Sequence, residues 1–460
     1  MGYERFHIEA KPAPHLYPVP SRFDVSARKL RLAAMLVHEA FEYRFKRDVV
    51  LSRPCIYGVF SGRLGGFKPI KEKCVGCMRC VQEYPHIMTV RPSDEYKSLG
   101  DSHWTPDAVF TVLYESSTGK IPVKGMGYKG AFAGEGFDGI WTDMSEIVRP
   151  TRDGVYGREY ISTTVDIGRK PFFLSLDHPC AEQVVKTVEA SVPVIFDQLP
   201  EPTVTDEVSD ALDKAASKLN TFHISRPSKT RRHGKGWIPL VEESDLPGSS
   251  SILQESRIIE YDHDRSDMYN ELRTAYPSAV ISARIALKEG CEEAVSKLVR
   301  DGVDVLHFYA DLHGKDYSTR PRHVSDAVKQ VHGFLVKEGL RDQVTIIASG
   351  GITLAEHVPK AIICGADLVG IDTTLLVALQ AEFQGETRDR ENCALRVRSM
   401  DPAWGTQRVV NLVASWHDQL IEILSAMGMR DVRRLRGEVG RSMTDAELRE
   451  QAFGEIAWAT

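Results

Sequence analysis

The chain has 460 residues, enough at roughly 150 residues per domain for two or three units, or for one large barrel with an extension. Hydrophobic residues make up 42% and charged residues 27%, close to globular averages, which excludes a mostly disordered or fibrous chain. With 58 Lys and Arg against 64 Asp and Glu the net charge is −6, so no global basic field points to nucleic acid.

Along the chain, the proline-rich first 25 residues read as an extended arm. They lack the apolar core of a signal peptide, and no run of about 20 apolar residues follows anywhere, so no membrane span is expected and the expected address is the cytoplasm. Residues 26–48 space Leu30, Leu32, Met35, Leu36, Ala40 and Phe41 as one face of a helix, which completes a first segment over 1–50. Residues 51–164 are rich in Gly, Pro and aromatics, with strand-like runs at 108–116 and 121–123, and are expected to form an irregular domain. From residue 165 the texture changes. Strand-like runs at 171–177, 192–197, 221–225, 278–287, 303–311, 344–351 and 366–372 alternate with helical ones, which predicts an α/β fold with a parallel sheet. About seven alternations favour a closed (β/α)8 TIM barrel over 165–405 rather than an open doubly wound sheet, and 406–460 reads as a helical extension.

Eight cysteines are too sparse for a disulfide scaffold, and three of them fall within CVGCMRCVQEYP at Cys74, Cys77 and Cys80. The C-x2-C-x2-C spacing lets three thiolates converge on one iron–sulfur cube. Tyr84 stands where a further ligand would follow, so a single [4Fe–4S] cluster closed by a remote ligand is expected, with Cys55 the nearest candidate. A zinc site completed by Cys55 or His86, or a metal-free remnant, is the alternative reading. Farther on, Ser349-Gly350-Gly351 ends one strand-like run and Gly370-Ile371-Asp372-Thr373 ends the next. The last two strand loops of a barrel commonly cradle a phosphate, because bare glycine backbone lets N–H groups approach its oxygens; two ordinary tight turns would look the same. The G-x-G-x-x-G at Gly125, Gly127 and Gly130 is followed by more glycine rather than a helix and reads as loop. A basic run holds Arg226, Lys229, Arg231, Arg232, His233 and Lys235 and reads as a solvated loop or, at the mouth of a barrel, as a holder of an anionic cofactor or acidic partner, while Asp177, His178 and His307 sit at expected strand ends.

Residues 136–168, 282–308, 340–380 and 406–437 resemble the FMN-binding barrel of the glutamate synthase family over roughly 135–440. With the amino-terminal cysteine motif, the chain looks most like the stand-alone, archaeal-type large subunits. The resemblance implies an FMN held by Ser349, Gly350, Gly351, Gly370, Ile371, Asp372 and Thr373, with Arg284 matching the substrate-side lysine and Lys315 as a further cation in the substrate loop. Four departures stand out. LSLDHPCAEQ (174–183) replaces the flavin loop expected after a first strand at 171–177, and ADLHGKDYSTRP (310–321) replaces the glycine-rich substrate loop. Asp372 stands where the family has Gly or another small residue, and of the family's three-cysteine segment only Cys393 remains, with Ser399 and Trp404 near the other two positions.

The function implied is that of an iron–sulfur, flavin-linked oxidoreductase subunit, passing electrons from the cysteine cluster to FMN and on to an imine formed from a 2-oxoacid and ammonia. The alternative is a barrel without flavin chemistry of its own, a structural or electron-transfer component of a larger redox complex. No glutaminase nucleophile is expected, since Gly2 follows Met1. Expected partners are therefore other subunits of a redox or amidotransferase complex, or a ferredoxin, with homo-oligomerisation compatible with either.

Overall fold

The structure, a computed structural model, describes residues 7–52, 55–62, 67–123, 136–142, 160–170, 186–227, 234–245, 253–264, 268–438 and 442–444. It divides into two compact units: a smaller one, His15–Thr111 with Ile121–Ala131, and a larger one, Met1–Pro14 with Val112–Lys120 and Phe132–Thr460.

In the larger unit eight parallel strands close into a barrel in chain order: Val194–Phe196, His223–Ser225, Trp237–Val241, Ile258–Asp262, Val280–Ala286, Val305–Tyr309, Thr345–Ser349 and Leu368–Ile371. The eighth returns to the first through Val369 opposite Val194. Strands covered on both faces must be apolar throughout, and runs such as TIIAS and LVGI are buried at every position. The first strand is thus Val194–Phe196; the 171–177 run expected in that place lies outside the described residues. The strands Trp237–Val241 and Ile258–Asp262 were not among the expected runs, because Pro239 and the acidic Glu260 and Asp262 break the apolar signal that marks the others.

An antiparallel hairpin, Val165–Arg169 with Lys186–Ala190, closes the amino-terminal end of the barrel. The N–H of Gly168 donates to Thr345 Oγ1 at 3.0 Å, at the start of the seventh strand, and Arg169 donates to the carbonyls of Val299 and Val303. The mouth therefore lies at the carboxy-terminal ends of the strands. Outside the barrel, helix Pro402–Ala426 packs on helix Asp206–Leu219, where Gly405 admits the close approach: a Cβ there would stand 3.0 Å from Ala211 Cβ. Residues 11–14 run along the same long helix, with Asn411 bonded in both directions to the backbone of Lys11.

The smaller unit pairs Phe23–Ala27 with Met88–Pro92 and lays helix Lys29–Glu42 on them through Leu32 and Met35. The run at 108–116, strand-like in composition, belongs to helix Pro106–Thr118. Its apolar residues Val109, Val112 and Leu113 follow helical spacing, and Thr105 Oγ1 accepts the Ala108 N–H, so cap and period outweigh the β-branched content. No helix among the described residues is long and apolar enough to cross a membrane.

Candidate functional site

Two groups of residues carry chemistry, one in each unit. In the smaller unit, Cys55, Cys74, Cys77 and Cys80 line a single apolar cavity with Val25, Val59, Phe60, Met78 and Val90. The C-x2-C turn is shaped by two left-handed residues, Gly76 at φ +68° and Met78 at φ +59°. Gly76 is required on two grounds: a Cβ would enter left-handed strain and would stand 2.4 Å from the Phe23 ring. Burial, then the neighbouring Cys74, pushes the Cys80 thiol up to about 12, and burial also raises Cys74, while backbone N–H groups of Gly76 and Val81 bond the Cys74 and Cys80 sulfurs. Tyr84 is half-buried against this core and donates its hydroxyl to Glu39 Oε1 at 2.9 Å, while His86 is exposed. Cys291 and Cys364 are buried thiols at the ends of barrel helices, and Cys393 is buried in a loop of the larger unit.

The barrel mouth opens into a cavity of about 1110 Å³. Beneath it, side chains from five strands form a buried polar network. Arg284 bonds Asp197 bidentately, Nη1 to Oδ1 at 2.6 Å and Nη2 to Oδ2 at 3.1 Å, and also reaches Glu260 Oε1 at 3.2 Å. His307 shares a hydrogen bond of 2.9 Å with Glu260 through Nδ1 and one of 2.6 Å with Ser349 Oγ through Nε2. Burial alone would raise Asp197 and Glu260; the Arg284 guanidinium and His307 outweigh it and hold both carboxyls below the usual range, and Arg284 is raised in return. Glu260, His307 and Ser349 make the contacts of an acid, base and nucleophile, and all three are fully buried. Their polar groups satisfy one another in the barrel core.

The two loops expected to cradle a phosphate do meet at the mouth. Gly350 and Gly351 are left-handed, but the 310–314 segment lies against them: added Cβ atoms would stand 2.6 Å from Asp311 O and from Gly314 Cα. Asp372 turns its carboxylate back onto its own loop, Oδ1 accepting the Thr373 N–H at 2.5 Å, and Arg390 donates to Oδ2 at 2.8 Å. Arg390 also lies 3.6 Å from Asp197, and the Tyr309 ring is approached by both Arg284 and Arg390, at 4.6 and 5.7 Å. Burial pushes Asp372 above the usual carboxylate range although Arg390 pulls it down. Two guanidiniums face three carboxylates, with the His307 ring bonded to Glu260. The Thr373 hydroxyl is buried without a hydrogen-bond partner. Of the two expected catalytic residues, Arg284 lines the mouth cavity; Lys315 is half-buried in the 310–321 loop, its N–H donating to Asp311 Oδ1 at 2.8 Å, and is not among the cavity's lining residues.

Asp197, Glu260 and Arg390 were not singled out from the sequence. The signal was present for the first two, a carboxylate closing the apolar run VPVIFD and one inside IIEYD, and absent for Arg390, one cation in a charged loop. Arg226 lies at the mouth, paired with Glu242 at 2.6 Å and Glu201 at 3.3 Å, while the rest of the basic run at 228–233, the glycine motif from Gly125 to Gly130, and Asp177 with His178 lie outside the described residues.

A family model described as a conserved region in glutamate synthase matches residues 258–430. The archaeal-type glutamate synthase [NADPH] of Dehalococcoides mccartyi is 24% identical over 438 residues, covering 80% of this chain and 86% of that protein. The archaeal glutamate synthase [NADPH] of Archaeoglobus fulgidus is 24% identical, covering 84% and 90%. Among solved structures, a monotopic membrane protein, (S)-mandelate dehydrogenase, is 11% identical over 67% of this chain and 89% of its own, with a TM-score of 0.44.

Proposed function

Because the chain is a divergent relative of the glutamate synthase family, we propose that it serves a glutamate synthase-like redox reaction as an iron–sulfur electron-transfer subunit. The observation that carries this reading is the convergence of Cys55, Cys74, Cys77 and Cys80 on one cavity. The donor set fits a [4Fe–4S] cluster: four thiols in an apolar wall, with backbone N–H groups at two of the sulfurs. Bound there, the cluster would supply one-electron transfer. The protein's own contribution is to exclude water with Val25, Val59 and Phe60 and to hold the ligand turn in its left-handed shape. Ammonia and reducing power would come from partner chains or a ferredoxin. The test is anaerobic purification with iron and sulfide analysis: wild type should hold about four irons per chain, and Cys77→Ser should lose iron and the brown colour while the barrel stays folded. Stoichiometric zinc without iron would overturn it.

The family also implies FMN, to be held by Ser349, Gly350, Gly351, Gly370, Ile371, Asp372 and Thr373. Those residues do not fit its phosphate as they stand, because the Asp372 carboxylate already takes the Thr373 N–H and the 310–314 segment covers the glycines. No step is therefore assigned to a flavin. A second reading, in which the barrel carries a flavin of its own, draws on the size of the mouth cavity and the unpaired Thr373 hydroxyl. The visible spectrum separates the two: flavin bands near roughly 370 and 450 nm over a broad cluster shoulder favour the second reading, and a shoulder alone favours the first.

A further inference from the structure

We infer that Asp372 is a built-in substitute for a ligand anion, and that its clamp by Arg390 fills the phosphate position between Thr373 and Arg390. This goes beyond the cluster reading and does not depend on it. Three observations converge. First, the carboxylate at Asp372 is buried and makes the two contacts an anion would make there, with the Thr373 N–H at 2.5 Å and an Arg390 guanidinium at 2.8 Å. Second, Arg390 is committed from several sides: it donates to the carbonyls of Gln198 and Ala310, each at 3.4 Å, lies 3.6 Å from Asp197 and packs near the Tyr309 ring, so it is held over Asp372 rather than left to greet a solute. Third, the buried Thr373 hydroxyl has no partner, as expected where a one-carbon carboxyl group stands in for a larger, multi-oxygen anion and leaves a hydrogen-bonding position unused.

Charge balance points the same way. Asp197, Glu260 and Asp372 already outnumber the guanidiniums of Arg284 and Arg390, and Asp372 is raised first by its burial and then by the neighbouring Asp197. A phosphate dianion added to this group would face an excess of negative charge in a low-dielectric site. A ligand that enters the cavity must then do so without placing a phosphate against Thr373 and Arg390, and its affinity must not depend on a phosphate there.

The test compares FMN with riboflavin by fluorescence quenching of the wild-type full-length protein, and follows thermal unfolding in phosphate or formate against chloride at equal ionic strength. Wild type should give the same affinity for FMN and riboflavin within about twofold, or bind neither, and phosphate should not shift its Tm. Asp372→Gly, which removes the internal carboxylate, should have a higher Tm in phosphate or formate than in chloride, with FMN then favoured over riboflavin by at least tenfold. FMN preferred by wild type by more than about twofold would overturn the proposal, as would an Asp372→Gly protein that folds and shows no anion response. If that variant does not fold, Asp372→Asn, which keeps the shape and removes the charge, takes its place, and the wild-type comparison decides by itself. Iron content is read separately, so failure here is distinguishable from failure of the cluster assignment.

Discussion

Arg284 shows how much of the barrel depends on one cation. Its guanidinium sits between two fully buried carboxylates, and removing one partner of such a group strands the others in low dielectric. Arg284→Met should cost about 3–5 kcal/mol in urea denaturation, and Arg284→Lys should recover only a part, because an ammonium cannot reproduce the bidentate pairing with Asp197. A loss under about 1 kcal/mol for Arg284→Met would mean that the network is not an ion-paired one. Among the cysteines the contrast is of position. Cys55 shares the apolar cavity with Cys74, Cys77 and Cys80, whereas Cys291 and Cys364 are buried thiols in the barrel unit. Cys55→Ser should lower iron per chain well below the values for Cys291→Ser and Cys364→Ser; equal iron in all three would remove Cys55 as a ligand.

The elements that matter most are turns. Gly76 and Gly290 both lie in the left-handed region, at φ +68° and +81°, but only Gly76 is also crowded: nothing lies within 4 Å of an added Cβ at Gly290, whereas one at Gly76 meets the Phe23 ring at 2.4 Å. Gly290→Ala should therefore cost about 1–2 kcal/mol, the left-handed penalty alone. Gly76→Ala should add an overpacking cost of about 1–3 kcal/mol and reduce iron occupancy, because the ring and the ligand turn cannot both keep their places. Thermal unfolding of the two variants side by side checks this. The loop between the last barrel strands and the long helix has a similar leverage, since it brings Arg390 over the mouth.

Taken over the entire chain, stability should fall in two separate acid steps. His332 and His417 are both held down to about 4, chiefly by burial, His332 also by Arg341 and Arg436 and His417 by His7. Their unfolded pKa is about 6.5, so the unfolded chain binds protons first; stability present above about pH 6.5 is lost as pH falls toward 4. Asp197 and Glu260 lie below their unfolded values of about 3.9 and 4.3, so their contribution persists to about pH 4 and is lost below it, as pH falls through their folded values. Asp372 has the opposite sign: its folded value is raised, so it destabilises as pH rises past about 3.9. Tm measured from pH 8 to 3 should show both steps, and His332→Gln should flatten the upper one; an unchanged upper step in that variant would assign it elsewhere.

Local chemistry was legible in the sequence wherever the information is itself local. The three-cysteine spacing, the helix at 29–42 and the alternation that closes into eight strands all depend on neighbours within a few residues, and helical and strand periods report them directly. The strands carrying Pro239 or Glu260 escaped, since their apolar signal is broken by groups that only the closed barrel satisfies. The mouth was decided by tertiary structure alone. Asp197, Glu260, Arg284, His307 and Ser349 come from five strands, and Arg390 from a loop; they meet because the first strand returns to the eighth, and nothing in the spacing of a chain encodes which carboxylate a distant arginine will face. Asp372 illustrates the division: its identity as the odd residue in a glycine-type loop is visible in one dimension, but that its carboxylate turns inward and is clamped by Arg390 follows only from the low-dielectric enclosure that folding creates around it.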